Sequence, residues 1–471
     1  MNKTIITQSA EESKAVRPFY CPDAIKIDIG LPLRRIYCII ASMENSKVSF
    51  DFLRSLRKAP ASLKAALYVT AAILLGAAVL SFPSFHCPGS YSFSDFLTLS
   101  ICAVCLYGAV PADMLTSSGL AVVFVLMLFS GIIYARLSAG SFFALLSEKE
   151  DAVVRPLRLY GSLLFCLICC ALLFSAAFCS AYGPVPGALG SAFMAVSVFF
   201  GCGSSLLEQG PAEVFSHVLI YDLAVAVSSA LGGCGVFLLS DSPGEDRKQG
   251  TGTRLWLFYY PGIILLFFLV FSLSGLMSAE RLPLYELLSL SLAVSAASGG
   301  GNALAPGFLD KAGYYGHMMC ARMIFGKGIL SFYSLSLYVL LFSLAGYASG
   351  KKGRDALKLY IKKAAFTFAV FILSASALCL AFVSLSGKDL SYSLYAAVSI
   401  CSLCPSPLYS ISAGNGIERL LVLSAVFFSR SVPPLIWELT HTGPKDDTPL
   451  PAEETEEQTA LDIREAEATN G

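Results

Sequence analysis

Four short phrases in this chain end in small residues at a regular interval: Ser100-Ile-Cys-Ala-Val-Cys-Leu-Tyr-Gly108, Ser197-Val-Phe-Phe-Gly-Cys-Gly203, Ser295-Ala-Ala-Ser-Gly-Gly300 and Ser399-Ile-Cys-Ser-Leu-Cys-Pro405. Their ends fall roughly one hundred residues apart, and self-similarity at a fixed period defines an architecture before the details do. The chemistry open to such phrases lies in the backbone. Glycine allows a chain to turn its carbonyls inward in conformations that a Cβ disfavours, and a ring of such carbonyls can replace the hydration shell of a cation. Short helices placed before the phrases would aim their partially negative C-terminal ends at the same point, which favours a cation over an anion.

A second group is conspicuous because it is charged. Arg322, Lys327 and Arg430 stand within long apolar runs, where a charge costs several kcal/mol unless it meets water or a partner. Asp222 is the acidic residue well inside an apolar run and a candidate partner for them. A lysine at position 327 facing a cation path would repel the ion, and its long stem is expected to snorkel to the cytoplasmic interface instead. Cys102-x-x-Cys105 and Cys401-x-x-Cys404 have the spacing of a thiolate site for a soft metal. Most of the 15 cysteines lie in apolar runs, however, and are read as small packing hydrophobes. His86, His217, His317 and His441 are scattered, and no phosphate-cradling or dinucleotide fingerprint is present. The chain is therefore expected to be neither an enzyme nor an ATP-driven pump, and to hold no cofactor of its own.

The elements that must position these residues are membrane helices. Of 471 residues, 55% are hydrophobic and only 14% charged, against about 25% charged in a soluble domain. Its 33 basic and 33 acidic residues cancel, which argues against nucleic acid as a partner. Long apolar segments run over 64–83, 117–146, 157–180, 212–240, 255–277, 314–347, 359–385 and 415–440. Between members of each pair lies a shorter stretch, near 93–105, 188–200, 284–297 and 390–402, too short to cross a bilayer about 30 Å thick. The expected fold is an all-α integral membrane protein of four tandem M1–pore loop–M2 units around a pseudo-fourfold pore. The units span 61–147, 155–241, 254–348 and 358–440, between a polar segment 1–60 and an acidic tail 441–471. Basic residues cluster between units (Lys149, Arg155, Arg247, Lys248, Lys351, Lys352, Lys362, Lys363), so both termini are expected in the cytoplasm and the four loops to enter from outside.

The phrase Asp95-Phe-Leu-Thr-Leu-Ser-Ile-Cys-Ala-Val-Cys-Leu-Tyr-Gly108, with Asp113, and the segment Val426-Phe-Phe-Ser-Arg430-Ser-Val-Pro-Pro-Leu435 resemble motifs of the Trk/Ktr/HKT superfamily of K⁺ transporters. The eight-span layout is most similar to Ktr. The resemblance implies a K⁺ filter lined by carbonyls of Leu106, Tyr107, Gly108, Gly201, Cys202, Gly203, Ser298, Gly299, Gly300, Leu403, Cys404 and Pro405. It also implies a gate in the sixth long helix at Arg322, Phe325, Gly326, Lys327 and Gly328, with Arg430 beside it. A homodimer embedded in lipid, and a cytoplasmic nucleotide-binding regulatory ring docked on the basic loops, are implied as well. The sequence departs from the family at Pro405, which stands in place of the fourth glycine and has φ locked near −65°, and at bulky Phe325 and cationic Lys327. These departures leave open a non-conducting or altered member that acts as a partner or sensor. A secondary transporter built from inverted repeats fits less well, because the repetition is fourfold and direct.

Overall fold

The computed structural model describes residues 60–108, 114–146, 156–203, 218–236, 251–277, 326–344, 354–404 and 416–439. Among them the regular structure is helical, with one isolated bridge between His86 and Leu115. In chain order the helices are α1 (Ala61–Leu80), α2 (Phe93–Cys105), α3 (Ser117–Leu146), α4 (Pro156–Tyr182), α5 (Pro184–Phe199), α6 (Val218–Cys234), α7 (Thr251–Met277), α8 (Phe332–Leu344), α9 (Arg354–Ser386), α10 (Leu390–Cys401) and α11 (Gly416–Leu439). Helix is the form available to these sequences in hydrocarbon, since it satisfies its own backbone groups. Helices α1, α3, α4, α9 and α11 are long and apolar enough to cross a bilayer. By contrast α2, α5 and α10 have 13, 16 and 12 residues, or about 18–24 Å at the helical rise, and stop partway.

Local signals set where the short helices begin. Ser92 precedes α2 and its amide donates to Asp95 Oδ2 at 2.8 Å, half of a capping box. Gly183, at φ +85°, reverses the chain between α4 and α5, and Pro184 opens α5 where a missing amide costs nothing. Each short helix folds back on the long one before it, so α1 packs on α2, α4 on α5 and α9 on α10. Large apolar side chains such as Leu75, Phe165, Leu172, Leu373 and Leu380 stay exposed on the outside. That is the surface of a protein solvated by lipid.

The packed helices close a ring. Helix α3 meets α4 and α5, α6 meets α7, α8 meets α9 and α11, and α11 returns to α1 and α2. Polar contacts at both ends of α11 join the last segment to the first. At one end Arg419 Nη2 lies 2.7 Å from Asp95 Oδ1 and its Nε donates to Thr98 Oγ1 at 2.9 Å. Burial works against the Asp95 charge, but the Ser92 amide and hydroxyl and the Arg419 guanidinium outweigh it and hold the carboxyl below its ordinary value. At the other end Glu438 accepts the Ala61 and Ser62 amides at 2.6 and 2.5 Å, placing a carboxylate on orphan donors at the α1 N-terminus.

The sixth long apolar segment, 314–347, is broken within the stretch assigned to the gate: residues 326–331 form a turn and the single helical turn Gly328–Leu330 before α8 starts at Phe332. One expectation changes. Lys363, placed by the sequence in a basic loop, is buried in α9, where its ammonium donates to the Trp437 carbonyl at 3.1 Å near the end of α11. The third short segment, 284–297, lies outside the described residues. The ring closure predicts a coupling of about 0.5–1 kcal/mol between Asp95→Asn and Arg419→Gln, the size of a partly exposed ion pair. A double-mutant cycle on thermal unfolding of the solubilised protein measures it.

Candidate functional site

The ends of α2, α5 and α10 share one hydrogen-bond pattern. Tyr107 N donates to Cys102 O at 2.8 Å, Cys202 N to Ser197 O at 2.7 Å and Cys404 N to Ser399 O at 2.9 Å. The preceding residues Leu106, Gly201 and Leu403 donate three residues back, to Ala103, Val198 and Ile400. Each pair of bonds is a Schellman closure, which needs a left-handed residue just after the helix. Those residues are Leu106 at φ 57°, Gly201 at 67° and Leu403 at 58°. Gly108 and Gly203, two positions on, are also left-handed, at 85° and 68°. The sequence carries no signal for leucine in this conformation, which costs a side-chain-bearing residue roughly 1–2 kcal/mol. Leu106 and Leu403 are buried, so packing of their side chains holds the turns.

The break before α8 presents Lys327 between two left-handed glycines, Gly326 at φ 48° and Gly328 at 60°. Both are also required by space. A Cβ at Gly328 would collide with the Gly233 backbone of α6, and one at Gly326 would sit 2.7 Å from Ser334 Oγ. So held, Lys327 is buried and its ammonium donates to the carbonyl of Leu106. It lies within electrostatic range of the Cys105, Cys202 and Cys404 thiols, one from each of the three closed turns, and of Arg430. Cys404 Sγ in turn donates to Gly326 O at 3.2 Å. The snorkelling expected of Lys327 is therefore wrong. Its stem runs toward the re-entrant turns, where a carbonyl left over from the helix end is the acceptor.

Arg430 is buried in α11 and lies over the Tyr134 ring of α3, with its central carbon 3.5 Å from the ring centroid. Its Nε and Nη2 have no hydrogen-bond partner among the described residues, so the aromatic face carries much of the stabilisation of this charge. Tyr134 is a functional neighbour that sequence reasoning missed. Asp222 is buried in α6 without a hydrogen bond to Oδ1 and pairs with none of the cations among the described residues. Cys102, Cys105, Cys401 and Cys404 are buried free thiols, and no group of potential metal ligands forms among the described residues. Of the positions assigned from the sequence, the structure brings together Leu106, Tyr107, Gly108, Gly201, Cys202, Gly203, Leu403, Cys404, Gly326, Lys327, Gly328 and Arg430. Ser298, Gly299, Gly300, Pro405, Arg322 and Phe325 lie outside the described residues.

No protein-family model and no curated protein matches this chain. Among solved structures it is similar to the potassium transporter TrkH from Vibrio parahaemolyticus, with a TM-score of 0.60 and 15% identity over 81% of this chain and 84% of that one. The chain has a Trk/Ktr-type fold. The geometry of the lysine turn predicts that Gly328→Ala clearly lowers the thermal midpoint of the solubilised protein. Gly161→Ala, where a Cβ meets nothing, leaves it unchanged. Equal midpoints would mean that the turn is not held against α6.

Proposed function

We propose that this chain is the pore-forming subunit of a K⁺-type monovalent cation uptake system in the cytoplasmic membrane. One observation carries the proposal: the Leu106 carbonyl, set free by the left-handed turn, receives a cationic group where the re-entrant turns converge. A primary ammonium and a dehydrated K⁺ carry the same charge and are close in size, so a site that takes one is suited to the other. The helix dipoles support this, since α2, α5 and α10 all end at these turns, each contributing about half a negative charge. The likeness to TrkH supports it independently.

In this scheme an ion enters from outside and gives up water to the carbonyls of residues 106–108, 201–203, 403–405 and, by the repeat, 298–300. It then passes the constriction at residues 320–328. The basic loops between units and both termini face the cytoplasm, two chains form a dimer, and a nucleotide-binding regulatory ring docks on the basic loops. A second reading, a non-conducting partner or sensor, is favoured by one observation, the ammonium of Lys327 standing in the path.

Expression in a strain lacking K⁺ uptake separates the two. The transport role predicts rubidium influx above the empty-vector level when the regulator is supplied, and loss of that influx with Gly203→Val, since Gly203 holds a left-handed conformation that valine resists. Correctly inserted wild-type chain without influx would leave the sensor reading in place.

A further inference from the structure

Several features of Lys327 are unexplained by a gate made only of bulk. It is fully enclosed, with 1% of its surface exposed, and no carboxylate pairs with it among the described residues. A buried ammonium with no counter-ion is costly, and a methionine of similar length would fill the same space without that penalty. The chain nevertheless builds a dedicated support for it. The flanking glycines are both left-handed, one has no room for a Cβ against α6, and the Cys404 thiol holds the Gly326 carbonyl. The ammonium reaches the Leu106 carbonyl and lies in range of a thiol from each of three re-entrant turns. What compensates its charge is what would compensate a transported ion: a freed carbonyl and three helix C-terminal ends.

We infer that Lys327 is a tethered substitute for the transported cation, occupying the innermost ion site formed at Leu106, so that the turn Gly326–Gly328 is a plug that must withdraw before an ion can pass. This inference rests on the transport role proposed above. Because the tether delivers its charge from within the chain, a free cation competes with it for one carbonyl site and the two cannot be held together. Arg430 is a second buried cation in electrostatic range of Lys327, and repulsion between like charges in a medium of low dielectric adds to the cost of holding the ammonium there.

The full-length chain and its Lys327→Met variant, reconstituted in vesicles without a regulator, give the test, with Lys327→Gln as a second variant should the first prove unstable. Removal of the tethered charge is expected to raise rubidium uptake by about tenfold or more, the effect of abolishing a dominant closed population. It is also expected to make the thermal midpoint rise when K⁺ replaces choline, because a ligand that binds the folded state alone stabilises it. The wild-type midpoint should respond little. Equal rubidium uptake by wild type and variant would overturn the plug and leave transport intact. No uptake by either, with no K⁺ effect on the variant's midpoint, would overturn the cation site and with it the transport role. No uptake together with a K⁺ effect confined to the variant would support the tethered charge and overturn conduction.

Discussion

A helix that stops inside a bilayer leaves its last carbonyls with neither water nor a following turn to satisfy them. The arrangement of this protein follows from how that debt is met at α2, α5 and α10. Each closes with the same Schellman pattern, in which two amides bond back to helix carbonyls and the chain swings through a left-handed residue. The closure leaves the carbonyl of the left-handed residue outside the helix ladder. At Leu106 that carbonyl is satisfied by an ammonium from a distant part of the chain. Long helices hold the short ones in register, and the polar contacts of α11 with α1 and α2 keep the ring from opening.

Much of this architecture was legible in the sequence because hydrocarbon imposes simple rules. The apolar segments 64–83, 117–146, 157–180, 255–277, 359–385 and 415–440 predicted their helices to within about five residues, 212–240 overran α6 at both ends, and the short stretches near 93–105, 188–200 and 390–402 correspond to α2, α5 and α10. Gly108, Gly201 and Gly203 announced left-handed backbone by their type. What escaped was set by tertiary packing. Leucine at 106 and 403 carries no mark of a positive φ, and the burial of its side chain overrides a local preference. The direction of the Lys327 stem was misread for a related reason: reach and charge were visible, but not the acceptor 221 positions away along the chain. Lys363 likewise looked like a loop charge until the end of α11 supplied a carbonyl for it.

The described cations within the membrane region divide by how they are stabilised. Lys363 meets a helix-end carbonyl and Arg430 an aromatic face. Among the described residues Lys327 is the cation directed at the re-entrant turns, on a turn of two left-handed glycines with a thiol on one of their carbonyls. The even balance of 33 basic and 33 acidic residues conceals this division. Low overall charge made Lys327 and Arg430 conspicuous, and their different partners, a carbonyl and an aromatic face, set them apart.

Thallium(I) scatters anomalously and takes the place of K⁺ at carbonyl sites, so crystals of the wild-type chain and of Lys327→Met grown in a thallium salt report directly on the site at Leu106. An anomalous peak beside the Leu106 carbonyl in the variant, with the lysine ammonium there in the wild type, is the predicted result. Re-entrant turns empty of thallium in both crystals would contradict it.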